Sequence, residues 1–195
     1  MNKRVILQYM MFWRTLPADI LFLTSKNKEI VKEDLLRYAL KESPYKVANV
    51  VSLNYCLLYG NTFRNVFYFR IEQGAVLKVI SRFFIPPVAT VEIGGKIAGG
   101  LRINHMNAVV YPYSAGKNLT VGPNVVIGKG PKKDNGDINA PIIGDDVYIL
   151  PNSVITGGVR LGNNVSIGAG TIVTKSVADN CVVVGNPGRV LERDS

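Results

Sequence analysis

Residues 143–175 read Ile-Gly-Asp-Asp-Val-Tyr-Ile-Leu-Pro-Asn-Ser-Val-Ile-Thr-Gly-Gly-Val-Arg-Leu-Gly-Asn-Asn-Val-Ser-Ile-Gly-Ala-Gly-Thr-Ile-Val-Thr-Lys. Every sixth position is aliphatic: Ile143, Ile149, Ile155, Leu161, Ile167 and Val173. The same step recurs upstream through Val91, Ile97, Ile103, Val109, Ala115, Val121 and Ile127. Val, Ile or Leu thus fill twelve of thirteen positions in a chain where they make up about a third of residues, so chance does not explain the series. A period of six fits neither a helix nor a simple alternating strand. It fits a short strand plus a corner, repeated as the sides of a prism, with inward aliphatics stacked in ladders and coils about 4.8 Å apart. Gly follows the aliphatic at 116, 122, 128, 144, 162 and 168, which suits either a positive φ or close approach between coils.

The frame breaks once. Ile127 to Ile143 spans sixteen residues, an excess of ten, which corresponds to the polar, turn-rich residues 131–140. Such a loop is either a tolerated surface insertion or a substrate contact, and a loop projecting from a rigid repeat favours the second. Upstream of Pro86-Pro87 the pattern is helical. Helices are expected over 29–41, capped by Asn27 or Ser25 and stopped by Ser43-Pro44, and over 47–59, 62–71 and 76–84. The expected organisation is an α-helical N-terminal domain over 1–87 and a β-helix over 88–195 with its inserted loop at 131–140.

Composition narrows the classes. Two distant cysteines, Cys56 and Cys181, form no disulfide framework and no metal motif, which points to a reducing, cytoplasmic setting without a metal. Lys3 and Arg4 followed by the apolar residues 5–13 imitate a signal peptide. No small-x-small cleavage site follows, and Arg14, Pro17 and Asp19 interrupt the run, so neither export nor a membrane span is expected. The net charge of +9 is concentrated upstream: residues 1–85 hold 13 bases against 6 acids, or +7. The bases are scattered without a nucleic-acid motif, so no nucleic-acid partner is expected. Peripheral contact with the inner face of a membrane is one reading of Arg64, Arg70, Lys78 and Arg82 interleaved with Phe63, Phe67, Tyr68, Phe69, Phe83 and Phe84. The other is a helical cap that turns those aromatics inward.

The hexads, the run at 165–175 and the closing Val-Val-Gly-Asn-Pro-Gly-Arg-Val at 183–190 resemble the hexapeptide-repeat acyltransferases. The nearest branch is that of the serine acetyltransferases and their polysaccharide-modifying relatives. The resemblance spans about 88–191 and is loose for the helical half. It implies a left-handed parallel β-helix with three hexads per coil, a homotrimer with clefts between prisms, acetyl-CoA as donor and a histidine base.

His105 is the chain's one histidine and follows Gly100-Leu101-Arg102-Ile103, where that branch carries its catalytic histidine. Acetyl transfer requires the acceptor hydroxyl to lose its proton as it attacks, which a neutral imidazole can accept at pH 7. A backbone N–H near Gly128 or Gly130 would serve the oxyanion. The acid that orients the histidine in the branch falls on Thr90 here, with Glu92 two residues on as its expected substitute. The branch's acid before the histidine is Asn104, and its Arg-His pair before Pro141 is Asn139-Ala140. Asn104 and Asn139 are therefore substrate-binding candidates suited to a neutral hydroxyl acceptor such as a saccharide, with serine as the alternative acceptor. The resemblance places coenzyme A along Pro151 and Ala169, with Lys175 and Arg189 near its phosphates. The alternative of another class is a non-catalytic β-helix scaffold.

Overall fold

The computed structural model describes residues 3–131 and 137–191. It divides into two compact units, Met1–Ala89 and Thr90–Ser195.

The first unit holds six helices: α1 (Lys3–Met10), α2 (Leu16–Thr24), α3 (Lys28–Glu42), α4 (Val50–Tyr59), α5 (Asn61–Arg70) and α6 (Ala75–Phe84), with a 3₁₀ turn, Phe12–Arg14, after α1. α3 to α6 occupy the expected segments. α1 and α2 lie in the stretch that reads only as an interrupted apolar run. Neither expected cap bonds α3 as a cap. Ser25 Oγ accepts from Asn27 N at 3.1 Å, and Asn27 Nδ2 donates to Arg70 O at 2.9 Å. α4 carries a capping box instead, with Asn49 and Ser52 each bonding the other's backbone N–H at 3.0 Å. The core is aromatic: Phe22, Tyr38, Phe63, Phe67 and Tyr68 are buried, with the Tyr38 and Phe63 rings 5.0 Å apart. Arg64 donates to Leu57 O at 2.7 Å and Leu58 O at 2.8 Å, satisfying carbonyls at the C-terminal end of α4. Arg70 is buried against Asp34. The aromatics of 63–68 thus face inward, which removes them from any membrane contact. Among the described residues no helix is long and apolar enough to cross a membrane.

The second unit is a parallel β-helix of about five turns with three faces. One face stacks β1 (Val91–Ile93), β4 (Ala108–Val110), β7 (Val126–Gly128), β10 (Val154–Thr156) and β13 (Ile172–Val173). A second stacks β2 (Lys96–Ile97), β5 (Ser114–Ala115), β8 (Ile142–Ile143) and β11 (Arg160–Leu161). The third stacks β3 (Arg102–Ile103), β6 (Thr120–Val121), β9 (Tyr148–Ile149), β12 (Ser166–Ile167) and β14 (Val182–Val184), and ends in the antiparallel β15 (Arg189–Leu191). The expected ladders form: Ile103, Val121, Ile149, Ile167 and Val183 are in register and buried.

Two rungs depart from the six-residue frame: Val91 stands opposite Ala108, and Ile93 takes the ladder position opposite Val110. Val109 stands opposite Glu92 and is only half-buried, whereas its neighbours Ala108 and Val110 are buried. Val110, not Val109, pairs with Ile127. The corner from Ile103 to Val110 is thus one residue longer than a hexad and the next, to Ala115, one shorter. Because side chains alternate across a strand, a single extra residue exchanges inward and outward positions until a compensating loss restores them.

Five of the six recurrent glycines, all but Gly128, serve close approach. A Cβ on Gly144 would lie 2.7 Å from Gly162 C, and one on Gly162 would lie 2.6 Å from Asp179 N. Positive φ falls instead on six asparagines, Asn107, Asn118, Asn124, Asn152, Asn164 and Asn180, on Asp146, and on five glycines outside that series, Gly95, Gly100, Gly157, Gly170 and Gly185. The asparagines stack in columns, as in Asn124 Nδ2 to Asn152 Oδ1 at 3.0 Å and Asn164 Nδ2 to Asn180 Oδ1 at 2.8 Å. Asparagine suits these corners because its short polar side chain tolerates the left-handed region and bonds across coils.

Candidate functional site

His105 lies in the long corner between β3 and β4 and is exposed. The same prism edge, read along the axis, carries Asn124, then Pro151-Asn152, then Ala169-Gly170. Backbone bonds join the levels: Asn124 N to Asn107 O at 2.6 Å, Asn152 N to Pro123 O at 2.9 Å, and Gly170 N to Pro151 O at 2.9 Å. Three coil steps of ~4.8 Å separate the His105 corner from the Ala169 corner, about 14 Å along the edge. Ala169 is exposed, and a Cβ on Gly170 would meet nothing within 4 Å. The edge therefore runs from an exposed imidazole to an open shelf of small residues.

Asn104, next to the histidine, donates its backbone N–H to Val121 O at 2.9 Å, while its side-chain Oδ1 is buried without a hydrogen-bond partner. A buried acceptor left bare costs free energy, which makes Asn104 a polar side chain held beside His105 at a cost to the fold. Thr90 underlies the same corner: its Oγ1 accepts from Asn107 N at 3.3 Å and its carbonyl from Ala108 N at 3.0 Å. Glu92 instead stands exposed in the middle of β1, opposite Val109, and makes no hydrogen bond or ion pair with His105. The sequence named Thr90 as holder of that register but put the role on Glu92; of the two, the geometry brings Thr90 to the corner.

A second group lies at the next edge, across the β1-β4-β7-β10-β13 face. Three residues of strand at ~3.3 Å each set the two edges roughly 10 Å apart. Here the inserted loop leaves and returns. Gly130 N donates to Asn139 O at 2.9 Å and closes its base, and Thr156 Oγ1 donates to Lys129 O at 3.1 Å. Of the loop, Pro131 and residues 137–140 are described, and residues 132–136 fall outside the described residues. The Gly130 N–H is thus already engaged, whereas Gly128 faces open space on its side-chain side. Lys175 is exposed at this edge, beyond β13. Arg189 is exposed on β15, opposite Val184. In one chain, then, Asn104, His105, Pro151 and Ala169 share an edge, while Gly128, Gly130, Asn139 and Lys175 occupy the neighbouring one. Among the described residues no three His, Cys, Asp or Glu side chains gather as a metal site.

Residues 140–175 match the family model for the bacterial transferase hexapeptide (six repeats). Serine acetyltransferase of Staphylococcus aureus is 37% identical over 122 residues, covering 59% of this chain and 53% of that protein. The chain therefore spans just over half the length of this relative. Among solved structures, Neisseria gonorrhoeae serine acetyltransferase is 27% identical with a TM-score of 0.67, covering 88% of this chain and 68% of that one. Soybean serine acetyltransferase complexed with serine is 27% identical with a TM-score of 0.63, covering 94% and 74%. Fold and repeat together define the architecture, a parallel β-helix of six-residue repeats that resembles the hexapeptide-repeat transferases. Among these the chain resembles the serine acetyltransferase branch.

Proposed function

We propose that the protein is an acetyl-CoA-dependent O-acetyltransferase of the serine acetyltransferase type, acting as a homotrimer in which one prism's histidine edge faces a neighbour's loop edge. The observation that carries it is the exposed His105 beside the bare Oδ1 of Asn104, on the edge that leads to the open Ala169–Gly170 shelf. The acceptor hydroxyl donates to the His105 imidazole and its oxygen attacks the thioester carbonyl. The carbon–sulfur bond then breaks, and the imidazolium returns the proton to the leaving thiolate. Asn104 Oδ1 takes a hydrogen bond from the acceptor. The shelf seats the pantetheine arm, with the exposed Lys175 and Arg189 as cations for the phosphates. The two groups of side chains lie on different edges of one chain, which is the reason for assigning the cleft to adjacent subunits.

The likeness to serine acetyltransferases supports serine as the acceptor over the saccharide that the polar substitutions suggest. One observation favours the second reading: Ala140 is buried and the Asn139 carbonyl is tied to Gly130, so neither of these two residues offers a carboxylate a cation. Each lost charge-assisted bond is worth about 1.5–3 kcal/mol. Measuring coenzyme A release with serine and with a panel of nucleotide sugars separates the two. Serine as the acceptor with the highest kcat/KM upholds the proposal, and a nucleotide sugar in that place establishes the second reading. A chain that does not bind coenzyme A at all is a scaffold, and the proposal fails.

A further inference from the structure

The helical unit carries an inversion that its packing does not explain. In α6 the buried position is Ser81, whose Oγ lies 2.8 Å from Tyr68 OH, while the apolar residues turn outward. Val76, Val79 and Phe83 are 76%, 69% and 81% exposed, and with Ile80 they follow the i, i+3, i+4, i+7 spacing of a single helix face. α2 is apolar on both sides: Ala18, Leu21 and Phe22 are buried in the core beside Asp19, whereas Leu16, Ile20 and Leu23 are exposed. In α1 the buried residue is Gln8, with Ile6, Leu7, Tyr9 and Met10 outside. α2 packs on α6, and Trp13 meets Phe84 edge-on at 5.5 Å, with Arg14 Nη2 donating to Phe84 O at 2.6 Å. The outward faces of α2 and α6 and the 3₁₀ turn are thus neighbours in one apolar surface. A contiguous apolar area of this kind marks a binding surface.

We propose that this surface docks on an anionic phospholipid bilayer, with α6 and α2 lying in the interface. Charge selects this occupant. Residues 3–24 and α6 together hold five bases (Lys3, Arg4, Arg14, Lys78 and Arg82) against one acid, Asp19, which is turned into the core. A two-fold contact between copies would bring the same bases face to face with no exposed acid on these elements to meet them. An anionic headgroup layer neutralises them while the acyl boundary accepts Val79, Phe83 and Trp13, and Trp is the side chain favoured at that depth. The surface keeps Lys78, Arg82 and Phe83 of the membrane contact suggested by the sequence and drops Phe63, Phe67 and Tyr68, which are core. The inference is independent of the acetyltransfer proposal.

The test is flotation of the full chain with vesicles of phosphatidylcholine alone and of phosphatidylcholine mixed with phosphatidylglycerol, with the oligomeric mass measured in parallel. The chain should float with the anionic vesicles only, and raised salt should weaken the association as exposed charges are screened. Val79→Ser/Phe83→Ser should reduce binding by at least about tenfold, since each removes an apolar side chain from the interface. Both positions are exposed, and unchanged helicity would confirm that the variant is folded. Its oligomeric mass should match the parent's. Absence of binding to anionic vesicles overturns the proposal, as does a fall in oligomeric mass in the variant, which would assign the surface to a second copy of the chain.

Discussion

Replacing Asp34 by Ala should be among the most damaging single changes in the helical unit. Asp34 is 0% exposed and Arg70 5%. The pair is bidentate, with Nε to Oδ2 at 2.7 Å and Nη2 to Oδ1 at 3.2 Å, and it ties the middle of α3 to the end of α5. Removing the carboxylate leaves a guanidinium inside the core that cannot discharge by losing its proton, at a cost of about 3–5 kcal/mol. A domain of this size has roughly 4–13 kcal/mol in total, and a urea slope of about 1 kcal/mol/M turns the loss into a midpoint lower by about 3 M or more. Trp13 is the chain's one tryptophan and belongs to this unit, so its fluorescence reports the helical transition separately from the β-helix. Arg70→Met should behave differently, because a stranded carboxyl can neutralise by taking up a proton: its cost should shrink as pH falls. The paired change Asp34→Leu/Arg70→Met should recover most of the loss. An Asp34→Ala midpoint within about 1 M of the parent, or an Arg70→Met cost that does not vary with pH, would refute the argument that the pair is desolvated.

His105→Ala should lower turnover by about 100- to 10,000-fold while coenzyme A binding, measured by calorimetry, stays nearly intact, because a base contacts the acceptor and not the donor arm. Burial pushes Asp19 up to about 6 from an ordinary 3.8. Its charged form is thus penalised in the folded state, so stability should be higher near pH 4 and decline as pH rises through 6. Asp19→Asn should abolish that decline and raise stability at pH 8 by up to about 3 kcal/mol in urea melts. A Cβ on Gly162 would sit 2.6 Å from Asp179 N, whereas one on Gly128 meets nothing within 4 Å. Thermal melts of the β-helix should therefore lose about 1–3 kcal/mol for Gly162→Ala and almost nothing for Gly128→Ala.

The prism was legible because its signal is periodic: thirteen rungs each repeat the same packing requirement, so errors at single positions average out. The misplaced rungs, Val91 and Val109, show the limit of that reading. A corner lengthened by one residue and repaid five residues later leaves the overall phase intact, so the series continues to look unbroken. The meaning of the glycines was half-readable, since close approach and positive φ both favour Gly, and only the columns of left-handed Asn reveal that the second task had been assigned elsewhere. At the candidate site, the corner position of His105 followed from its place in the repeat, whereas the contact of Thr90 Oγ1 with the same corner, made through Asn107 N, depends on backbone register that the sequence does not display. α1 and α2 went unseen as separate helices because neither shows one apolar face: α1 buries Gln8 and turns its apolar residues out, and α2 is apolar both inside and outside.

The reversal of strand direction at β15 has a consequence for solubility. Coils stacked in parallel at ~4.8 Å share the geometry of a cross-β fibril, and a bare terminal coil would be a template for another chain. β15 pairs antiparallel to β14, Val184 opposite Arg189 and Val182 opposite Leu191, and so breaks the translational repeat on that face. The turn before it bonds back over β13 through Gly188 N to Ile172 O at 2.9 Å, reaching the adjacent face as well. Those few residues replace the parallel repeat with an antiparallel edge, a geometry on which another parallel coil cannot stack in the same register.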